Sequence, residues 1–221
     1  MWVYLYPSNT ETELKNAYIG ERNPFMDYQE VEYIQSSGTQ YINTGYLPSS
    51  TPKIDIDLEF INWDSNTWIP LYWRRWATNT TYFCLYVNSS YLYMTPNYAW
   101  FDPWTSSWVT ISKNTKYNIV NNAWQFYLNW VLKTSASTTN TLADSTYPIF
   151  LFNNNVSGAT QWRNTQMKLY SCKMYNDNIL VRDFVPCYRK SDTVIWLYDL
   201  VNNQFYTNSW TWTFTKWPDV N

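Results

Sequence analysis

Between Met167 and Phe214 lie short runs in which apolar and polar residues alternate, separated by polar breaks. KLYSCKMY alternates, the polar Asn176-Asp177-Asn178 interrupts it, and ILVRDFVPC alternates again. VIWLYDL and QFYTN form a second such pair of runs around the polar Asn202-Asn203. Successive side chains of an extended strand point to opposite faces. A period of two therefore specifies strands, and a polar break between two such runs specifies a hairpin. No helical period fits. A hairpin alone is marginal in water, so these two require a larger sheet and a second layer over its apolar face.

The rest of the chain supplies both. In KIDIDLEFIN, Ile54, Ile56, Leu58 and Phe60 share one face, and Asp55, Asp57 and Glu59 share the other. Runs at 67–73, 80–88, 89–94, 108–112, 115–122 and 147–155 read as further short strands, as do AWQFYLN and VLKTSAS around Asn129-Trp130. Roughly twelve to fourteen strands, about ten residues apart, predict an all-β sandwich of two antiparallel sheets. A chain of 221 residues can bury one such core. The sandwich is expected to occupy residues 28–221. Residues 1–27 read as a leader or connector with a turn of helix at Thr10–Asn16; the alternative is that Val3–Tyr6 pairs onto the sandwich.

Composition excludes several functions. The net charge is -2, with no basic stripe, so nucleic-acid binding has no electrostatic support. There is no histidine, which removes Ser-His-Asp and Cys-His catalysis and the commonest zinc ligand. Cys84, Cys172 and Cys187 fit no metal spacing. Cys172 alternates with apolar residues, as a buried free thiol does; a cross-strand Cys172–Cys187 bridge is the alternative. No apolar run reaches membrane-spanning length, and the N-terminus lacks a basic region followed by an apolar one. No membrane insertion and no signal peptide are expected.

LYSCKMYNDNILVRDFVPC followed by VIWLYDLVNNQFYTNSWTWTF resembles the C-terminal hairpins of the concanavalin A-like (LamG-like) jelly-roll domains of phage tail and virion structural proteins. VEYIQSSGTQYINTG resembles their opening strand pair. The resemblance implies a jelly roll and a non-catalytic virion protein, assembled in the host cytoplasm and carried in the tail. Its implied partners are host-surface glycan or other tail proteins, with homo-oligomerisation open. It implies no cofactor except, at most, a structural calcium held by loop aspartates such as Asp102 or Asp144, around which no dense Asp/Asn cluster stands. A bacterial cell-surface adhesin is an alternative in the same family.

Two sets of residues could carry chemistry. Asp55, Asp57 and Glu59 resemble the Glu-x-Asp-x-Glu strand of jelly-roll β-glucanases, where one carboxylate attacks and another donates a proton. The first position is Asp here, whose shorter side chain withdraws the group expected to attack. The other reading is the solvated face of an amphipathic strand, and no glycan hydrolysis is expected. Arg74, Arg75, Asp102 and Arg163 are expected in loops, where planar donors beside aromatic rings suit a sugar or an acidic glycan; the other reading of each is a plain solvated loop residue. Arg182 and Asp183 read as a structural ion pair locking a hairpin to its neighbour.

Tryptophan is out of place. The chain has 15 Trp and 4 Gly, where average usage would give roughly 15 Gly. Trp196, Trp210, Trp212 and Trp217 stand where the resembled family has glycine, Trp73 and Trp76 flank an expected turn, and Asn129-Trp130 replaces the Asn-Gly of a tight hairpin. A bulky residue at positive φ is an outlier. Either the surface is truly Trp-rich for glycan stacking, or most of these positions are UGA codons that the native host reads as glycine.

Overall fold

The computed structural model describes residues 27–48, 51–62, 69–75, 82–88, 91–95, 109–123, 125–135, 146–160, 166–210 and 213–220. Among these there is no helix of a full turn, and the strands are β1 (Tyr28–Gln35), β2 (Ile42–Asn43), β3 (Pro52–Asn62), β4 (Ile69–Arg75), β5 (Tyr82–Asn88), β6 (Tyr91–Thr95), β7 (Val109–Thr110), β8 (Lys116–Asn122), β9 (Gln125–Leu128), β10 (Val131–Ser135), β11 (Phe150–Leu151), β12 (Asn154–Val156), β13 (Gln166–Asn176), β14 (Ile179–Arg189), β15 (Ile195–Asp199), β16 (Gln204–Thr207) and β17 (Thr215–Asp219). One sheet runs β10-β9-β8-β3-β13-β1-β14-β15-β16, with β17 paired to β1; the other runs β2-β11-β4-β5-β6-β7, with β12 paired to β4. Only β12–β4, among the described pairings, is parallel. The expected two-sheet antiparallel sandwich is what forms, in an arrangement compatible with a jelly roll.

The core follows from the pleat. Ile54, Ile56, Leu58 and Phe60 of β3 and Met167, Leu169, Cys172 and Met174 of β13 are fully buried. They join Leu71 and Tyr72 of β4, Phe83, Leu85 and Val87 of β5 and Leu92 of β6 in one cluster between the sheets. Each such side chain stabilises the fold by roughly 1.5–3 kcal/mol. The buried parity on β13 changes between Leu169 and Cys172, because the β3–β13 register shifts between Leu169 and Ser171. This bulge turns two successive residues, Tyr170 and Ser171, away from the core.

Several sequence expectations need correction. Arg74 and Arg75 are strand, not loop: β4 is held to its end by Phe83 and Tyr82 of β5 on one edge and by Asn155 and Val156 of β12 on the other. The run 147–155 divides at Phe152 and Asn153, and β11 and β12 pair with the same strand in opposite directions. β17 was not anticipated; its apolar content is low, and its pairing to Val31–Gln35 of β1 is long-range. The buried free thiol expected of Cys172 is what forms, and all three cysteines are buried and free. The β13–β14 register sets Cys172 opposite Phe184, three residues from Cys187, so no bridge forms. Burial pushes the Cys187 thiol up to about 12, helped by the Glu30 carboxylate. Thr10–Asn16, Val3–Tyr6, Trp76 and Trp212 lie outside the described residues.

The turns explain where tryptophan is costly. Asp177 and Asn178, between β13 and β14, have φ of 50° and 65°. Both residue types tolerate this region. The β9–β10 hairpin has the same two-residue geometry, with φ of 50° at Asn129 and 61° at Trp130, and Leu128 faces Val131 across it. That is a type I′ turn, which favours glycine at its second position. Trp130 is 77% exposed, so no burial offsets the conformation. Trp130→Gly is expected to stabilise the protein by about 1 kcal/mol, the left-handed penalty less the added freedom of the unfolded chain. Thermal unfolding would rise by roughly 2–4 °C; a fall would contradict the turn assignment.

Candidate functional site

The outward face of β3 carries Lys53, Asp55, Asp57 and Glu59, and each carboxylate is bonded within the sheet. Asn118 on β8 donates from Nδ2 to Asp55 Oδ1 and to Asp57 Oδ1, both at 2.9 Å. Ser171 Oγ on β13 donates to Asp57 Oδ2 at 3.1 Å. Glu59 receives Lys168 Nζ and the Tyr170 hydroxyl, both at 2.9 Å. The β13 bulge makes this possible: Tyr170 is the extra residue opposite β3, so Tyr170 and Ser171 reach different carboxylates. Asn118 is buried, and its own Oδ1 has no partner. The two carboxylates outweigh that loss by holding the amide nitrogen between them.

Lysines cover the tyrosines of this face. Lys116 Nζ sits 3.9 Å from the centre of the Tyr170 ring, Lys53 Nζ 4.4 Å from that of Tyr175, and Lys168 Nζ 4.8 Å from that of Tyr33. Tyr33 and Tyr170 meet at 5.2 Å. Burial opposes the Lys168 ammonium, but the hydrogen bond and charge of Glu59 outweigh it and raise its pKa. Burial, then the Glu59 carboxylate, raises that of Tyr170. The Glu59 side chain is only 13% exposed. This face is thus a bonded, half-buried polar layer, and not the open solvated face expected for an amphipathic strand.

Arg182 and Asp183 do not pair with each other. Arg182 Nε lies 3.5 Å from the fully buried Asp199 of β15 and donates to the Thr44 carbonyl at 3.0 Å. Asp183 pairs with Lys173 at 3.1 Å. The expected lock between hairpins exists, with Asp199 as its centre: it also accepts from the Asp183 and Val201 amides and from Asn202 Nδ2.

Of the loop set, Arg74 and Arg75 are the last two residues of β4, while Asp102, Arg163 and Asp144 lie outside the described residues. No group of three or more metal-ligating side chains stands together among the described residues. A cavity of about 290 Å³, unrelated to either sequence set, opens at one end of the sandwich. The β14–β15 turn, the end of β16 and the segment entering β17 form its wall. Its residues come from DTVI at 192–195, TN at 207–208 and TF at 213–214, hydroxyl-rich ends of strands. That composition was legible, but the meeting of three separate segments was not.

Fold and site together define a two-sheet antiparallel β-sandwich with a tightly bonded polar face and a small terminal cavity. A scan against protein-family models finds no match, and a search of curated proteins finds none either.

The Asn118 bridge can be tested directly. Asn118→Ala removes the donor shared by Asp55 and Asp57 and leaves its backbone bonds to Asn129 in place. Hydrogen bonds to charged groups are worth about 1.5–3 kcal/mol each, less where water can replace the donor. Urea unfolding is expected to show a loss of about 2 kcal/mol; unchanged stability would mean that the bridge contributes nothing.

Proposed function

We propose that the chain is a non-catalytic structural protein of a phage tail, with a carbohydrate-binding-type jelly roll that recognises host-surface glycan or docks to other tail proteins. The observation that carries this reading is the near-continuous resemblance of Met167–Phe214 to that family, over a stretch that forms β13 to β16 and the segment beyond. The compatible sandwich supports it without choosing a function.

The carboxylate geometry supports the non-catalytic part. A retaining glycosidase needs two carboxyl groups about 5–5.5 Å apart across a bound sugar, one to attack and one to give up a proton. Here Asp55, Asp57 and Glu59 all aim oxygens at neighbours in the sheet, and a substrate would have to displace those bonds. No reducing-sugar release from β-glucan or host wall polysaccharide is expected above the Glu59→Gln background. Turnover by the wild type that vanishes in Glu59→Gln would establish the glucanase-like enzyme instead.

The recoding of UGA as glycine belongs to the same reading. Trp130 occupies φ 61°. Trp196 buries its indole N–H with no acceptor among the described residues, at a cost of about 1–3 kcal/mol. Trp210 and Trp217 are 55% and 66% exposed. The Trp196 ring does pack, 5.4 Å from that of Phe205 and under the Arg189 guanidinium, so recoding rests on the conformation of Trp130, the unpaired Trp196 N–H and the exposure of Trp210 and Trp217. Intact-mass spectrometry of purified native particles tests both parts at once. The protein is expected in the particle, at a mass below that of the written sequence. Its absence from the particle overturns the virion reading, and a mass equal to the written one overturns recoding.

A further inference from the structure

We infer that the terminal cavity is a binding site for a single neutral sugar ring, the end residue of a host-surface glycan. This rests on the glycan-binding reading above and gives that reading a place. The cavity is lined by Asp192, Thr193, Ile195, Thr207, Thr213 and Phe214, among others. Its volume of about 290 Å³ stands at the small end of ligand sites, which run from about 300 to 1,000 Å³. That size holds about one pyranose.

The free valences match a sugar. The hydroxyls of Thr193, Thr207 and Thr213 make no hydrogen bond with the described residues, and all three residues are exposed. They can donate to or accept from ring hydroxyls. Ile195 and the mostly buried Phe214 supply the apolar surface that a pyranose face needs. The one charge in the wall is already neutralised. Arg189 grips Asp192 through Nε to Oδ1 at 2.8 Å and through a second nitrogen to Oδ2, and the Val194 amide also binds Oδ1. A cation would have to displace Arg189 from Asp192, and an anion would find no free positive charge in the wall. A neutral polyol meets neither obstacle.

The wall is also fixed in advance. The Thr213 carbonyl accepts from Nε2 of the buried Gln40 at 2.7 Å. Asn208 Oδ1 accepts from the Tyr41 amide, and the Ser209 amide donates to the Tyr41 carbonyl. Asn208, Ser209 and Thr213 are thereby pinned to Gln40 and Tyr41, far away in the sequence. A preset wall reduces the ordering cost of binding.

The test uses the full chain on an array of glycans with neutral and acidic ends, then titration calorimetry with the methyl glycoside of the sugar that ends the bound glycans. Thr207→Val and Thr213→Val remove hydroxyls at exposed positions without changing shape, and circular dichroism checks their fold. Expected is capture of glycans ending in one neutral sugar, with affinity about tenfold lower in the double variant. Glycan binding that the double variant retains in full overturns the cavity as the site and leaves the glycan-binding reading standing. Selective capture of acidic ends overturns the neutral assignment. No capture of any glycan overturns both the site and the glycan-binding reading.

Discussion

The pairing of β3 with β13 is the constraint on which the rest of the sandwich depends. Both strands are 11 residues long and lie side by side in the middle of the larger sheet. β3 carries β8 on its other edge, and β13 passes into the hairpin with β14 and meets β1. The pairing fixes both faces at once. A slip of one residue would turn Asp55, Asp57 and Glu59 into the core and expose Ile54, Ile56 and Leu58. Burying carboxylates without partners costs far more than any gain in strand pairing. The register is therefore held by what the wrong register would bury.

The bulge at Tyr170 converts that constraint into the polar layer. Without it, β13 would offer every second side chain to the outer face, and Tyr170 and Ser171 could not both reach β3 carboxylates. With it, hydroxyl, amide and ammonium donors from the two adjacent strands surround the three carboxylates of β3. Such a layer rigidifies the sheet, because moving one member strands another. In that layer the carboxylate oxygens already hold donors from the neighbouring strands. Unoccupied hydrogen-bonding capacity lies instead at the end of the sandwich, where chain segments leave the sheet and threonine hydroxyls face solvent.

Two bulky residues at positive φ show how context decides strain. Phe152 has φ 69° and is fully buried, with its ring 4.8 Å from that of Phe214 and its amide bonded to the Leu71 carbonyl. Burial of that ring exceeds the cost of roughly 1–2 kcal/mol for a left-handed conformation. Trp130 has nearly the same φ and is exposed, so nothing comparable offsets it. The Asn129-Trp130 hairpin was legible as a tight turn because FYLN and VLK alternate around it, and its conformation then followed from strand twist.

By itself, the sequence determined the fold class, the central strands and the tight hairpins, because a period of two and the chemistry of turn residues are local properties. It placed Ile54 to Phe60 in the core and their charged neighbours outside for the same reason. Only the tertiary structure decided what those charges do. Asn118 and Tyr170 become partners of Asp57 and Glu59 through strand pairing and a bulge that no local period encodes. β17, the extension of β4 through Arg74 and Arg75, and the cavity between the β14–β15 turn and the approach to β17 arise likewise. Each is made by segments distant in the chain, and the energy that joins them exists only once the sheet has formed.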